Sequence, residues 1–212
     1  MKKLLAVVAV GGTILTAQAT SDGGRVSEIN TPLKVDEMAP DFKVKDINNK
    51  VVKLSDFRGK LVVLEWTNPD CPFIKKHYDS QNMQQLQKEY TAKGVIWISI
   101  ISSGPGKQGY KTAEEANAQI KLDNSHASHV ILDTEGKIGK AFAAKTTPHM
   151  FVLNKEGKIA YKGAIDDKPG TVKEDVKEAH NYVAKALDAL LDGKEVAIKA
   201  TDSYGCSVKY AS

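Results

Sequence analysis

Leu61-Val62-Val63-Leu64-Glu65-Trp66, then Thr67-Asn68-Pro69-Asp70, then Cys71-Pro72, is the stretch on which the reading of this chain turns. The first six residues form an apolar run interrupted by one acid. Such a run fits a strand covered on both faces, as in a parallel α/β sheet. The next four are turn formers and read as a loop. Pro72 is favoured in the first turn of a helix, so Cys71 is expected where a strand hands over to a helix.

Outward from this point the pattern alternates. Before it, Ala39-Pro40-Asp41-Phe42 opens an extended segment, Asn48-Asn49 marks a turn, and Val51–Leu54 reads as a short strand. After it, a helix is expected from Pro72 to about Ala92, with Phe73, Met83, Leu86 and Tyr90 facing the core. Lys93-Gly94 stops it, and Val95–Ile101 is the next buried strand. Thr112–Leu122 reads as a helix with Glu115 completing a capping box. A short strand at Val130–Leu132, a short helix at Lys137–Ala144, and two strands around Asn154-Lys155-Glu156-Gly157 follow. Val172, Val176, Ala179, Val183, Leu187, Leu190 and Leu191 recur at helical spacing, and Asp192-Gly193 ends that helix. The expected class is α/β, with a central mixed β-sheet flanked by helices and an extended C-terminal tail.

The N-terminus reads as an address. Met1-Lys2-Lys3 is positive, Leu4 to Leu15 is largely apolar, and Ala17-Gln18-Ala19 offers small residues at a cleavage site. The apolar run is short of the roughly 20 residues that span a bilayer. We therefore expect a signal peptide over 1–19, cut after Ala19, a leader over 20–34, one domain over 35–193, and a tail over 194–212. Export to a periplasmic or otherwise external compartment follows, with no membrane attachment after cleavage. The formal charge of +4 includes Lys2 and Lys3, and the remaining charges are interspersed. That excludes a nucleic-acid footprint.

The chain has two cysteines, Cys71 and Cys206. In an exported chain they are one structural bridge, two unrelated thiols, or a redox pair. Cysteine attacks as its thiolate, and a helix N-terminus favours that form. Lys75, one turn on, is expected to add to this, and Asp70 to oppose it. Glu65 admits two readings, a buried acid with raised pKa or a strand-end residue facing water. His126-x-x-His129 has chelating spacing but reads more simply as a loop before a strand, so no metal is expected. His77 is expected at the surface, and Trp66 beneath the cysteine loop.

Ala39-Pro40-Asp41-Phe42, Leu54-Ser55-Asp56-Phe57-Arg58-Gly59-Lys60, Leu61–Trp66 with Cys71-Pro72, and Thr146-Thr147-Pro148 together resemble the alkyl hydroperoxide reductase/thiol-specific antioxidant (redoxin) family of the thioredoxin-like superfamily. Asn68–Ile74, Gly163-Ala164-Ile165-Asp166-Asp167 and Tyr204–Tyr210 resemble its exported, peroxiredoxin-like subgroup. The resemblance implies a thioredoxin-like fold and a thiol-based oxidoreductase without a bound cofactor. Its nucleophile is Cys71, and the tail brings Cys206 back as the resolving thiol. It also implies a cis Pro148 facing the cysteine, with Thr147 as the residue that pairs with a substrate chain. Glu65, Pro72, Lys75 and His149 would shape the site. The implied partners are a protein or small-molecule thiol, disulfide or peroxide, and an external reductant.

The departures from the family are informative. A dithiol thioredoxin has a second cysteine where this chain has Ile74. Peroxiredoxins carry a threonine or serine and a proline where Asn68 and Leu64 stand, and use a late arginine. Here the arginines are Arg25 and Arg58, both before Cys71. A weak thiol peroxidase and a non-catalytic partner- or metal-binding protein are the alternative readings.

Overall fold

A computed structural model describes residues 33–211. The expected signal peptide, with its cut after Ala19, and most of the leader lie outside the described residues. Two short strands, β1 (Lys43–Lys45) and β2 (Val51–Lys53), form an antiparallel ribbon. The chain then enters β3 (Val62–Trp66), α1 (Pro72–Asp79), α2 (Asn82–Ala92), β4 (Ile96–Ile101), α3 (Ala113–Leu122), β5 (His129–Leu132) and α4 (Lys137–Ala141). It closes with β6 (Thr146–Thr147), β7 (His149–Leu153), β8 (Ile159–Gly163), α5 (Tyr182–Leu191) and β9 (Cys206–Ser207).

The main sheet has the order β5-β4-β3-β7-β8. β3, β4 and β5 run parallel, whereas β7 is antiparallel to both β3 and β8. This is the mixed sheet expected from the sequence. β3 is buried at all five residues, because alternate side chains feed two core layers. Val63 packs with Trp97, Met150 and Val152 under α1, α2 and α5. Val62, Leu64 and Trp66 pack with Ile98, Ile100, Phe151 and Phe142 on the other face. Cys71 belongs to the first layer.

Two helix expectations need correction. The helix expected from Pro72 to Ala92 is divided, because Gln81 takes a left-handed conformation (φ 64°) that cannot continue a right-handed helix. The apolar recurrence starting at Val172 is helical only from Tyr182. Asn181 caps that helix by accepting from Ala184 N–H at 2.9 Å, and Val172 is exposed ahead of a 3-10 turn at Glu174–Glu178. The Thr112 capping box forms as read, with both reciprocal bonds present.

The tail is held along its length. Thr201 N–H donates to Lys162 O, Val208 N–H to Lys145 O, and Gly104 N–H to Lys209 O. The Tyr210 hydroxyl donates to Ala144 O at 2.7 Å. These bonds carry the tail from the edge of β8 across to α4, and β9 pairs with β6 on the way.

Candidate active site

The loop before α1 is built by Asn68. Its side-chain oxygen accepts from Asp70 N–H at 2.9 Å, and its carbonyl accepts from Cys71 N–H at 3.0 Å. The Asn68 amide donates in turn to Gln108 O. Gly109 permits this approach, since a Cβ there would fall 2.2 Å from Asn68 Oδ1. Cys71 is thereby the N-cap of α1, in extended conformation, with Pro72 as the first helical residue. The Asp70 carboxylate is bound to Gly109 N–H at 3.0 Å and lies 3.7 Å from Lys111. The acid expected to oppose the thiolate is thus engaged by the 109–111 loop.

Across from Cys71, the Thr147–Pro148 peptide bond is cis. Thr147 O accepts from the Cys71 thiol at 3.1 Å. Thr147 also pairs antiparallel with Cys206, and the Cys71 and Cys206 sulfurs approach to 2.7 Å with no disulfide assigned between them. Cys71 has no exposed surface, while Cys206 is partly exposed. Tyr204 and Cys206 of the tail pack against the layer that holds Cys71.

The two thiols are driven in opposite directions. Burial raises the Cys71 pKa, but the Cys206 thiol, the Thr147 side chain and the backbone N–H of Ile74 and Cys206 outweigh it, and the net shift is downward. Cys206 moves up, through burial first and then through its hydrogen bond and the charge of Cys71. The opposite directions make Cys71 the sulfur better able to ionise.

Glu65 follows the buried reading. It is fully enclosed and accepts from Tyr78 Oη (3.1 Å), Gln87 Nε2 (3.2 Å), Trp97 Nε1 (2.8 Å) and Ser99 Oγ (2.9 Å). Burial raises its pKa, and these donors only partly offset that. Its bonds tie α1 and α2 to the sheet, and it bonds neither sulfur.

Three expected positions differ. The Lys75 side chain is exposed and forms no hydrogen bond or ion pair among the described residues; only its backbone N–H reaches Cys71 O, at 3.0 Å. Helix geometry turns its ammonium to water. His149 accepts from Lys145 N–H at 3.2 Å and packs 4.7 Å from the Phe151 ring. It shares the Phe151 face of β7, whereas Met150 faces the cysteine layer. Strand alternation thus turns it away from the sulfurs. Trp66 is buried in that same opposite layer, its indole N–H donating to Ser102 Oγ at 3.1 Å.

His77 is the clearest miss. It was expected at the surface and is fully buried. Ile74, His77 and Tyr78 are spaced i, i+3, i+4, so the face that buries the first and last takes the middle one too. His77 Nε2 lies 3.1 Å from Tyr204 Oη, and Nδ1 lies 2.9 Å from the Asn82 amide. Beside it, buried Lys76 donates to Lys168 O (2.5 Å) and Tyr204 Oη (3.3 Å), and lies 3.8 Å from Asp166. Tyr204 Oη donates to Asp166 Oδ1 at 2.6 Å. Asp166 and Tyr204 each fall in a segment that carried the family resemblance, but their meeting with Lys76 and His77 was not read. His126 is exposed, and His129 bonds Asp46 at 2.9 Å. No group of three or more metal-ligating side chains occurs among the described residues.

Residues 35–162 match the model of the AhpC/TSA family. The chain is 29% identical to the thiol-disulfide oxidoreductase ResA of Bacillus subtilis over 126 residues, which are 57% of this chain and 62% of that relative. It thus spans less than two thirds of that relative's length. The crystal structure of an uncharacterized conserved protein from Geobacillus kaustophilus superposes with a TM-score of 0.74 at 25% identity, covering 86% of this chain and 94% of that one. A putative thiol:disulfide interchange protein DsbE from Chlorobium tepidum gives 0.54 at 24% identity, covering 75% and 99%. The fold is thioredoxin-like.

Proposed function

The chain belongs to the AhpC/TSA family, and from that premise we propose that it is a thiol–disulfide oxidoreductase using Cys71 as nucleophile and Cys206 as resolving thiol. The single observation that carries this reading is the 2.7 Å approach of the two sulfurs at the N-terminus of α1. Cys71, as thiolate, attacks one sulfur of a partner disulfide. The partner's other sulfur leaves as thiolate, and a mixed disulfide to Cys71 remains. Cys206, on losing its proton, attacks the Cys71 sulfur. The partner is released fully reduced, with two electrons transferred, and a Cys71–Cys206 disulfide is left behind. An external dithiol restores the pair.

Thr147 and Pro148 form the wall opposite Cys71, Pro72 starts the helix whose N–H groups favour the thiolate, and Glu65 fixes that helix through Tyr78. Arg58, the arginine among the described residues, gives the peroxidase alternative no support: it packs over Gly157 in the β7–β8 turn, so that a Cβ on Gly157 would strike its guanidinium. Export is part of the same reading and rests on Met1-Lys2-Lys3, the apolar run and Ala17-Gln18-Ala19. Among the described residues no helix is long and apolar enough to cross a membrane.

The test is the pH dependence of Cys71 alkylation in native Cys206→Ser protein. The redox reading expects reaction without denaturant, at a rate that rises with pH as the Cys71 thiolate forms. Reaction only after unfolding would support the non-catalytic alternative instead.

A further inference from the structure

We infer that the tail is docked as a tethered copy of the substrate, so that this site takes an extended polypeptide with tyrosine, glycine and cysteine in consecutive order. This deepens the thiol–disulfide reading of Cys71 and rests on it. Cys71 has no exposed surface under the tail, so a polypeptide partner reaches it only by taking the tail's place. The place has a definite shape.

At its centre, Cys206 pairs with Thr147 and sets its sulfur on Cys71. An incoming strand would use the same Thr146–Thr147 edge by strand addition. One residue earlier, Gly205 crosses the Thr147 carbonyl at φ 126°. A Cβ there would fall 2.1 Å from Thr147 O, so a side chain is excluded while the pairing holds.

Two residues before the cysteine, Tyr204 enters the cluster of Lys76, His77 and Asp166, all three buried and all contributed by the domain. Its hydroxyl gives Asp166 Oδ1 a 2.6 Å hydrogen bond and meets His77 Nε2 and Lys76 Nζ. Asp166 Oδ2 has no hydrogen-bond partner among the described residues. Removing the phenol would leave this carboxylate, whose Oδ2 is already unpartnered, with the Lys168 N–H bond at 3.0 Å to Oδ1, and a buried carboxylate so short of donors is costly. The Phe73 ring, 6.1 Å away, and the Lys76 ammonium, 5.1 Å from the ring centre, complete the slot. Phenylalanine fills its volume but supplies no donor.

The full-length Cys206→Ser protein tests this with peptides of the sequence Asp202–Lys209, their cysteine joined in a disulfide to thionitrobenzoate. Cys71 thiolate attacks the peptide sulfur, the Cys71–peptide disulfide forms, and thionitrobenzoate leaves and is read by its colour. The Tyr-Gly-Cys peptide is expected to react at least about tenfold faster than peptides with phenylalanine for the tyrosine or alanine for the glycine. Adding Tyr204→Phe to the protein loosens the resident tail and is expected to speed all three. Rates within twofold across the peptides, or no release from any while the thionitrobenzoate dimer still reacts, would overturn the inference and leave disulfide exchange standing. Failure of the dimer to react as well would bring down both readings.

Discussion

Thr147 touches both cysteines: its carbonyl lies 3.1 Å from Cys71 Sγ, and its backbone pairs in strand register with Cys206. One residue on each side of that contact is backbone-constrained, by the cis bond to Pro148 and by Gly205 at φ 126°. The reach of Cys206 onto Cys71 is therefore set by main-chain geometry. A side chain placed in it has nowhere to go. Gly205→Ala is expected to push β9 off β6 and slow oxidative closure of the Cys71–Cys206 pair by more than tenfold, read by quenching with an alkylating agent. Closure at the parent rate would mean the pairing does not govern the approach.

The two sulfurs are expected to divide the reaction between them. Cys206→Ser should still attack an activated disulfide but stop at the mixed species, which mass measurement of the intact protein detects. Cys71→Ser should form no adduct under native conditions, because burial, the largest cause of the upward shift of Cys206, does not depend on Cys71. An adduct of equal yield on Cys206 would reverse the assignment of roles.

Glu65 offers a stability test. Four donors converge on its carboxylate, so Glu65→Leu leaves buried polar groups unpaired, at about 1–3 kcal/mol each. Glu65→Gln keeps the shape and part of the bonding. We expect a loss of at least about 3 kcal/mol for leucine and about 1 for glutamine, from urea midpoints at unchanged slope. Equal losses would show that the donors find other partners.

His149 governs part of the acid response. Burial, aided by Lys162 and Lys145, lowers its pKa from 6.5 to about 4. The unfolded chain therefore takes up a proton below 6.5 that the native chain refuses. This contribution is complete above 6.5 and is lost as pH falls toward 4. Relative to His149→Asn, the parent is expected to lose about 2 kcal/mol between pH 7 and pH 5, at about 1.4 kcal/mol per unit. Denaturation at both pH values checks this, and a constant difference would contradict it.

The buried strands and the Thr112 box were legible because each is a local pattern: a continuous apolar run, or a cap with its glutamate three residues on. Cys71 at the helix start was legible for the same reason, from Pro72 and the turn residues before it. The break at Gln81 was not, since no glycine or proline marks it. Nor was the direction of His149, because strand alternation is known only once the strand's first residue is fixed. The Lys76–His77–Asp166–Tyr204 cluster joins three segments distant in sequence, and no periodicity carries that. His77 alone was recoverable, from its helical spacing with Ile74 and Tyr78.

Cys71 and Cys206 act as partners in the proposed chemistry, and peptide mapping of the natively oxidised full-length protein tests this most directly. The prediction is one linked peptide containing both residues, in monomeric protein, which disappears on reduction. Two separately alkylatable thiols after the same oxidation would contradict it.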